Sequence, residues 1–462
     1  MLTKDRQFYK SFFSLFWVIV LQNVIVLSVN LADNIMIGGY SEVSLSGVAA
    51  VNQLQFIFQN IVMGLGEGVV ILGSQYWGQK RTEPIADLGR VALLFAALFG
   101  VILFALTSLF PAQILSIFTD SAAIISEGVR YLSVIRFTYL IFALTNVLLA
   151  ILRSVETVKI AFIVSVIALV TNCSINYALI GGNFGAPALG VIGAAIGTLV
   201  ARCVEFVIVA VYVLFIDKKL SFRHKLTSKI SSVLTKDYIK ETTFIVIVGA
   251  MFGVSTSLQT VILGHMNDNA IAANSIATTL YQVLKVAAVG AASATSIIIG
   301  KTIGKGVTDK LKEYVNTLQV MFVVIGVLMS ITLFSLRLPI LSLYDLTPET
   351  KTLAEQFILI LCVTCIGTSY EMPLITGVIR GGGDAMFVFY NDLISIWGIV
   401  LPLSFLAAFV FKWPPAAVVF CLNADQLFKC IPGAIKANRY KWIKKLTRES
   451  ENENESSEDI RV

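Results

Sequence analysis

The sequence predicts an all-α integral membrane protein: twelve transmembrane helices forming two six-helix lobes, related by a pseudo-twofold axis along the membrane normal. Composition, the spacing of apolar runs and an internal repeat predict it. Of 462 residues, 56% are hydrophobic and 14% charged, and the mean hydropathy is +0.82. A soluble domain carries about 25% charged residues. Runs near 20 residues long, enough to cross about 30 Å of hydrocarbon, recur along almost the whole chain. The chain also echoes itself at an offset of 226 to 227 residues: Met36-Ile-Gly38 matches Ile262-Leu-Gly264, Gly64 matches Gly290, Gly78 matches Gly304, and Arg153 matches Arg380. Six spans per repeat start both halves on the same membrane side, which requires the axis to run along the membrane normal.

The spans follow in order. The first, 12–36, is apolar until Asp33 near its end; a charged decapeptide precedes it and no small-residue cleavage site follows, so it is expected to be a retained span and not a signal peptide. The second, 51–77, carries Gly64, Gly66 and Gly68, which suit close helix packing; no Lys-Ser/Thr follows in the pattern a phosphate loop needs. Spans at 91–113 and 131–152 follow, the latter closed by Arg153. The fifth, 160–181, holds Asn172 and Asn176, and the sixth, 189–216, holds Gly190, Gly193 and Thr198, with Arg202 and Glu205 spaced for a local ion pair. In the second half, 241–264 is free of acids from Gly249 to Leu263, 271–299 contains Lys285, and 315–336 carries no charge. Span 353–378 contains Glu371, and 386–410 and 414–435 complete the set, the last with Lys429. The lobes are therefore placed at 1–216 and 241–445, joined by a basic connector at 217–240 and followed by an acidic, disordered tail at 446–462.

Charge sets the expected orientation. Of the 35 Lys and Arg, 27 lie on the side of the N-terminus, whereas the opposite loops hold Arg130, Arg136, Arg337, Lys351 and Lys412. Both termini are expected in the cytoplasm, and the protein in the plasma (inner) membrane. The net charge of +6 belongs to alternate loops, so it points to anionic lipid heads and not to nucleic acid. The six cysteines lie within spans; Cys362-x-x-Cys365 has no second pair and no nearby histidine, which favours packing over redox or zinc chemistry. Only His224, in the connector, and His265, at a helix end, are present, so no metal-spaced cluster or nucleophile motif suggests an enzyme.

Asp33, near the outer end of its span, is an expensive residue. A carboxylate inside a bilayer costs roughly 3 kcal/mol on the lenient insertion scale, and such residues mark ion or substrate pathways. Glu67, Lys285 and Glu371 interrupt spans near their middles, where an ion must be paired or face water, so each is a candidate for the lining of a central cleft. Asp384, beside Arg380, is a candidate for the cleft or for steadying a helix end.

In their order along residues 10 to 445, several motifs resemble the multidrug and toxic compound extrusion (MATE) family of efflux transporters. They are Asp33-Asn-Ile-Met-Ile-Gly38, Gly64-Leu-Gly-Glu-Gly68, Asn172-Cys-Ser-Ile-Asn176-Tyr, Leu189-Gly190-Val-Ile-Gly193-Ala-Ala-Ile-Gly-Thr198 and Arg380-Gly-Gly-Gly-Asp384. The resemblance implies H⁺- or Na⁺-driven antiport of bulky cationic or aromatic compounds, without a cofactor and by a monomer. It also implies a cation site at Asp33, Asn172, Asn176 and Thr198, with the Ala194 carbonyl as a further ligand. One carboxylate, two amide oxygens and a hydroxyl suit Na⁺, or a proton on Asp33. The chain departs from relatives whose first helix bends at a proline, since 12–36 contains none, and from those with a second-lobe glutamate in helix seven. At the repeat offset Asp33 corresponds to Gln259, so coupling is expected in the first lobe. A flippase for lipid-linked oligosaccharides, of the related superfamily, is the alternative; it needs cavity cations for a pyrophosphate, and the acids set against Arg202, Lys285 and Lys429 disfavour it.

Overall fold

A computed structural model describes residues 2–220, 222–225, 230–266, 268–342 and 347–448; the ring of His224 and the acidic tail beyond residue 448 lie outside the described residues. Within them eleven helices are long and apolar enough to cross a membrane, and one bent pair makes a twelfth crossing. In chain order these are α1 (Arg6–Gly38), α2 (Glu42–Gly78), α3 (Glu83–Leu109), the bent pair α4 (Ala122–Ile135) and α5 (Thr138–Ser154), α6 (Lys159–Gly181) and α7 (Val191–Ile216). The second half holds α8 (Ser232–Gly264), α9 (Asp268–Gly304), α10 (Thr308–Leu341), α11 (Pro348–Ile379), α12 (Ala385–Val410) and α13 (Pro415–Asn438). The helices outrun the apolar runs because polar caps start them early. Asp5 caps α1 through the N–H groups of Gln7 and Phe8, and Ser231 caps α8 nine residues before the span expected at 241.

The fourth crossing differs from a straight span over 131–152. It bends by 54° between α4 and α5, where Arg136 lies over the rings of Phe104 and Phe137. The Thr138 hydroxyl then donates to the Ile135 carbonyl at 2.6 Å, satisfying a helix-end acceptor. In α11 and α12 the turns widen after Pro373 and near Pro402, where a missing N–H breaks the regular ladder.

The repeat reappears as contacts. A Cβ on Gly64 of α2 would lie 3.0 Å from Val246 Cα of α8, and one on Gly290 of α9 would lie 2.5 Å from Val20 of α1; each pair of partners is one repeat apart. Gly78 and Gly304, also repeat partners, face each other, a Cβ on the first being 3.0 Å from the second's Cα. These glycines let the backbones of the two lobes approach from the middle of α2 and α9, at Gly64 and Gly290, to their ends at Gly78 and Gly304.

The starts of α1 and α8 cross between lobes. Phe8, Phe12, Leu15, Phe16 and Ile19 of α1 share a core with Ala291, Ile297 and Phe322 of the second half. Conversely, Leu234 and Tyr238 of α8 lie in the core of the first half, with the Tyr238 hydroxyl donating to the Leu65 carbonyl at 2.8 Å. The lobes are thus interlocked on the terminal side. Their far ends pack within each half, as at Asp33–Asn176, so the inter-lobe cleft opens away from the termini.

The segment after α13 completes this closure. Trp442 is fully buried, its ring filling the space above Gly382. Gln75 of α2 donates to the Lys444 carbonyl at 3.1 Å and accepts from the Leu446 N–H at 2.8 Å; Gln79 donates to the Thr447 hydroxyl at 2.7 Å. Arg448 makes a bidentate pair with Asp237 of α8, at 2.7 and 2.8 Å. Residues 440–448 therefore tie the second half to the end of α2.

Candidate functional site

In the first half, the last turns of α1, the middle of α6 and the start of α7 converge. Asn172 and Asn176, four apart on α6, point the same way. The Asn176 amide donates to Asp33 Oδ1 at 2.5 Å and to Asn172 Oδ1 at 3.2 Å, and the Asn172 amide donates to the Thr198 hydroxyl at 3.3 Å. Both asparagines are fully buried. Their close approach depends on Gly197, where a Cβ would collide with Asn176 Oδ1, and on Gly193, where it would lie 2.6 Å from the Leu179 carbonyl oxygen. That Asn176 oxygen is buried without a hydrogen-bond partner among the described residues. An orphaned buried acceptor costs about 1–3 kcal/mol unless something satisfies it.

A 60 Å³ cavity adjoins this chain of groups, reached by Asp33, Asn172, Thr198, Tyr131, Arg202 and Glu205. Its size suits about two waters or a partly hydrated cation. Ala194 is buried one turn before Thr198 on α7, outside the cavity wall. Arg202 and Glu205 form the expected ion pair, Nη1 to Oε2 at 2.7 Å, yet they also face the cavity that contains Asp33. Sequence reasoning missed that role. The signal was the spacing Thr198, Arg202, Glu205, a single face of α7. Asn30, Asn52, Gln55 and Tyr131 were missed as well. Asn30 lies one turn before Asp33 on the same face of α1, whereas Asn52, Gln55 and Tyr131 stand on α2 and α4, where nothing local links them to Asp33.

The second half holds a larger polar cavity of 260 Å³, walled by α2, α8, α9, α11, α12 and α13. Lys429 is buried on α13 with its ammonium between Asp392 Oδ1 at 2.9 Å and Asp425 Oδ2 at 3.0 Å. Lys285 and Glu371, both expected at the cleft, line this cavity, and the Lys285 ammonium lies 5.4 Å from the centre of the Phe252 ring. Tyr281, Thr368 and Gln426 form a hydrogen-bonded cluster along the same wall.

Glu67 sits at the cavity floor between the halves. Its Oε1 meets Arg153 Nη1 and its Oε2 meets Arg380 Nη2, each at 3.4 Å, and the three side chains are 12–16% exposed. The two arginines are repeat partners, so one carboxylate clamps equivalent points of both lobes. Asp384 lies outside the cavity: it pairs with Lys436 at 2.8 Å and Lys444 at 2.9 Å on the terminal side. Burial raises its pKa, but these two hydrogen-bonded ammoniums more than offset that and hold the carboxyl below its ordinary range. Among the described residues no group of three or more His, Cys, Asp or Glu could hold a metal ion, and all six cysteines are free.

The sequence profile of the MatE family matches residues 19–178 and 245–406, its second match beginning 226 residues after its first. The chain is 25% identical over 411 residues to a probable multidrug resistance protein, YoeA of Bacillus subtilis, covering 85% of each chain. It is also 25% identical to the probable multidrug resistance protein NorM of Streptococcus pneumoniae, over 85% of this chain and 86% of that one. Among solved structures, a multidrug resistance MATE family transporter of the MOP superfamily in an outward-facing conformation superposes with a TM-score of 0.84. The two share 17% identity, and the match covers 95% of this chain and 98% of that one.

Proposed function

Because the chain belongs to the MatE family, we propose that it is a multidrug efflux transporter of the plasma membrane, a cation-coupled antiporter and not an enzyme. It exports bulky cationic or aromatic compounds against inward movement of H⁺ or Na⁺. The observation that carries this reading is the linked set Asp33, Asn176, Asn172 and Thr198, of which Asp33, Asn172 and Thr198 line a cavity of cation size. Oxygen donors of this kind suit a hard cation. A proton or Na⁺ at Asp33 neutralises the carboxylate and removes most of the cost of keeping it there.

With the termini in the cytoplasm, as the distribution of Lys and Arg supports, the closed side is inward and the cleft faces outward. Unloaded and loaded Asp33 differ in charge, and a ligand shifts a two-state protein only by its differential affinity. Cation and drug must therefore favour opposite states, and the lobes rock about the glycine contacts of α1, α2, α8 and α9. Inward cation movement also draws about 2.3 kcal/mol per charge per 100 mV from the membrane potential.

Drug binding falls to the 260 Å³ cavity. Four carboxylates line it (Glu67, Glu371, Asp392, Asp425) against Lys285, Arg380 and Lys429. This balance suits a cation better than the pyrophosphate of a lipid-linked sugar, and Phe252 offers an aromatic face. The exported molecule is a small xenobiotic, and one chain with its surrounding lipid is sufficient for the cycle. The test is ethidium uptake into inverted vesicles under an imposed proton or sodium gradient. Wild type accumulates dye under at least one gradient, and Asp33→Asn falls to background; normal pumping by that variant under both gradients would falsify the proposal.

A further inference from the structure

The internal repeat places two equivalent clefts on the terminal side, one in each lobe, and only one of them is filled by the protein. In the second lobe the cleft lies between the starts of α8 and α12. The segment after α13 enters it: Leu446 packs with Ile71, Phe244, Ile245 and Ala385, and Lys444 donates to Asp384. In the first lobe the matching cleft lies between the starts of α1 and α6, and the segment after α7 reaches only its edge. There Lys219 donates to the Thr157 hydroxyl at 2.7 Å and to the Val155 carbonyl at 3.0 Å, the counterpart of Lys444 on Asp384. The chain then turns away, with Phe222 buried beside Gly89 of α3. What remains is an open cleft of 1370 Å³.

Its walls are ordered by depth. Arg6 and Lys10 on the first turns of α1, and Lys159 at the first residue of α6, stand at the rim; among the described residues none of the three has an ion-pair partner. Lys219 adds a fourth cation, and the single carboxylate of the lining, Glu156, is already held by Lys301 at 2.6 Å. No side chain caps α6, since Val158 occupies its N-cap position, so N–H groups of its first turn face the rim. Below them, toward the middle of the spans, the walls become apolar, with Phe13, Ile160 and Ile163. Phe13 is 42% and Ile163 50% exposed, in a part of the chain that faces hydrocarbon.

We propose that this cleft between α1 and α6 is a binding site for one anionic phospholipid of the leaflet on the terminal side. The phosphate is held by Lys10, Lys159 and Arg6 at the start of α6, and an acyl chain lies along Phe13, Ile160 and Ile163. Cations above an apolar wall reproduce the order of a phospholipid, and basic pockets between helices at a membrane surface recognise such head groups. The lipid takes the place that the protein's own residues 444–446 take in the other lobe. It also wedges against α1, the helix that carries Asp33 at its far end and packs into the opposite lobe at its start.

The test is native mass spectrometry of the full-length protein titrated with phosphatidylglycerol or with phosphatidylcholine of the same acyl chains. One phosphatidylglycerol is expected to be retained preferentially. The double variant Lys10→Gln/Lys159→Gln should weaken that retention by roughly twenty-five-fold, about fivefold for each ammonium. Ser14→Trp, which sets an indole against Phe13 in the path of the acyl chain and keeps every charge, should lose the lipid as well, whereas Lys351→Gln at the opposite membrane face should not. Equal retention of the two lipids overturns the proposal, including the case in which the acidic residues 449–459 occupy the cleft instead. So does unchanged binding to Ser14→Trp, which reduces the effect to diffuse surface charge. Loss of dye transport by Asp33→Asn is read separately, so failure here leaves the transport reading standing.

Discussion

At the scale of single residues, Glu67 is the hinge of the charge distribution. It is one carboxylate shared by two repeat-related arginines at equal distances. Replacing it by Gln leaves Arg153 and Arg380 facing each other across the lobe boundary and costs the closed side about 1–2 kcal/mol, given the partial exposure and long contacts. That corresponds to roughly a tenfold population shift. Spin labels on the terminal ends of α3 and α10 should show a new, longer distance in Glu67→Gln; an unchanged distribution would assign the triad to local structure alone. Gly197 makes a second case. An added methyl would meet Asn176 Oδ1, so Gly197→Ala should misplace the amide that donates to Asp33 and reduce transport while the protein still inserts and folds. At this scale Asp33 was legible as a carboxylate in an apolar run, whereas Asn172, Asn176 and Thr198 were reached through the family resemblance; the structure links all four by hydrogen bonds. Arg202 and Glu205 were read only as a pair, because nothing in the local pattern shows that their helix face meets Asp33 from another helix.

At the scale of elements, the segment 440–448 acts as a strap across the closed side. Gln75 donates to it and accepts from it, so Gln75→Ala removes two hydrogen bonds at once, about 1–3 kcal/mol in all. Faster cysteine labelling of residues under the strap, such as a cysteine placed at Ile71, which packs with Leu446, is the expected readout. Asp384 anchors the same segment through Lys444. Its carboxyl is held below its ordinary range, so the contribution is complete above that range and is lost only as pH falls through the depressed value. Protease resistance of 440–448 should therefore be flat between about pH 5 and 8, and Asp384→Asn should lower it throughout that range. Helix existence was readable from apolar runs, but their starts were not. The nine residues that α8 gains before position 241 are polar on one side and packed on the other, with Leu234 and Tyr238 docked into the first lobe.

At the scale of the whole molecule, alternating access requires the terminal side to open, and the ion pair of Glu156 with Lys301 spans the lobes there. In a background free of the native cysteines, Glu156→Cys/Lys301→Cys bridged by a short bis-methanethiosulfonate, which joins each thiol through a disulfide, should stop dye transport. Reductant should restore it. Continued transport by the bridged protein would mean that this side does not open during the cycle. The exchange of α1 and α8 between lobes makes such an opening a repacking of two helix starts as well as a rotation of two bodies.

The sequence by itself determined the membrane class, the internal repeat and, through the order of its motifs, the family, because hydropathy, self-similarity and motif order are properties of the chain order; the proposed cation-site residues came with the family resemblance. Tertiary structure alone decided which helix faces meet. It placed Asp384 among lysines outside the cavity, joined Arg202 and Glu205 to Asp33, gave Lys429 to Asp392 and Asp425, and closed the side that bears the termini. The physical reason is that a buried charge is tolerated only with a partner. In this protein, apart from helix neighbours such as Lys429 and Asp425, those partners come from helices distant in sequence.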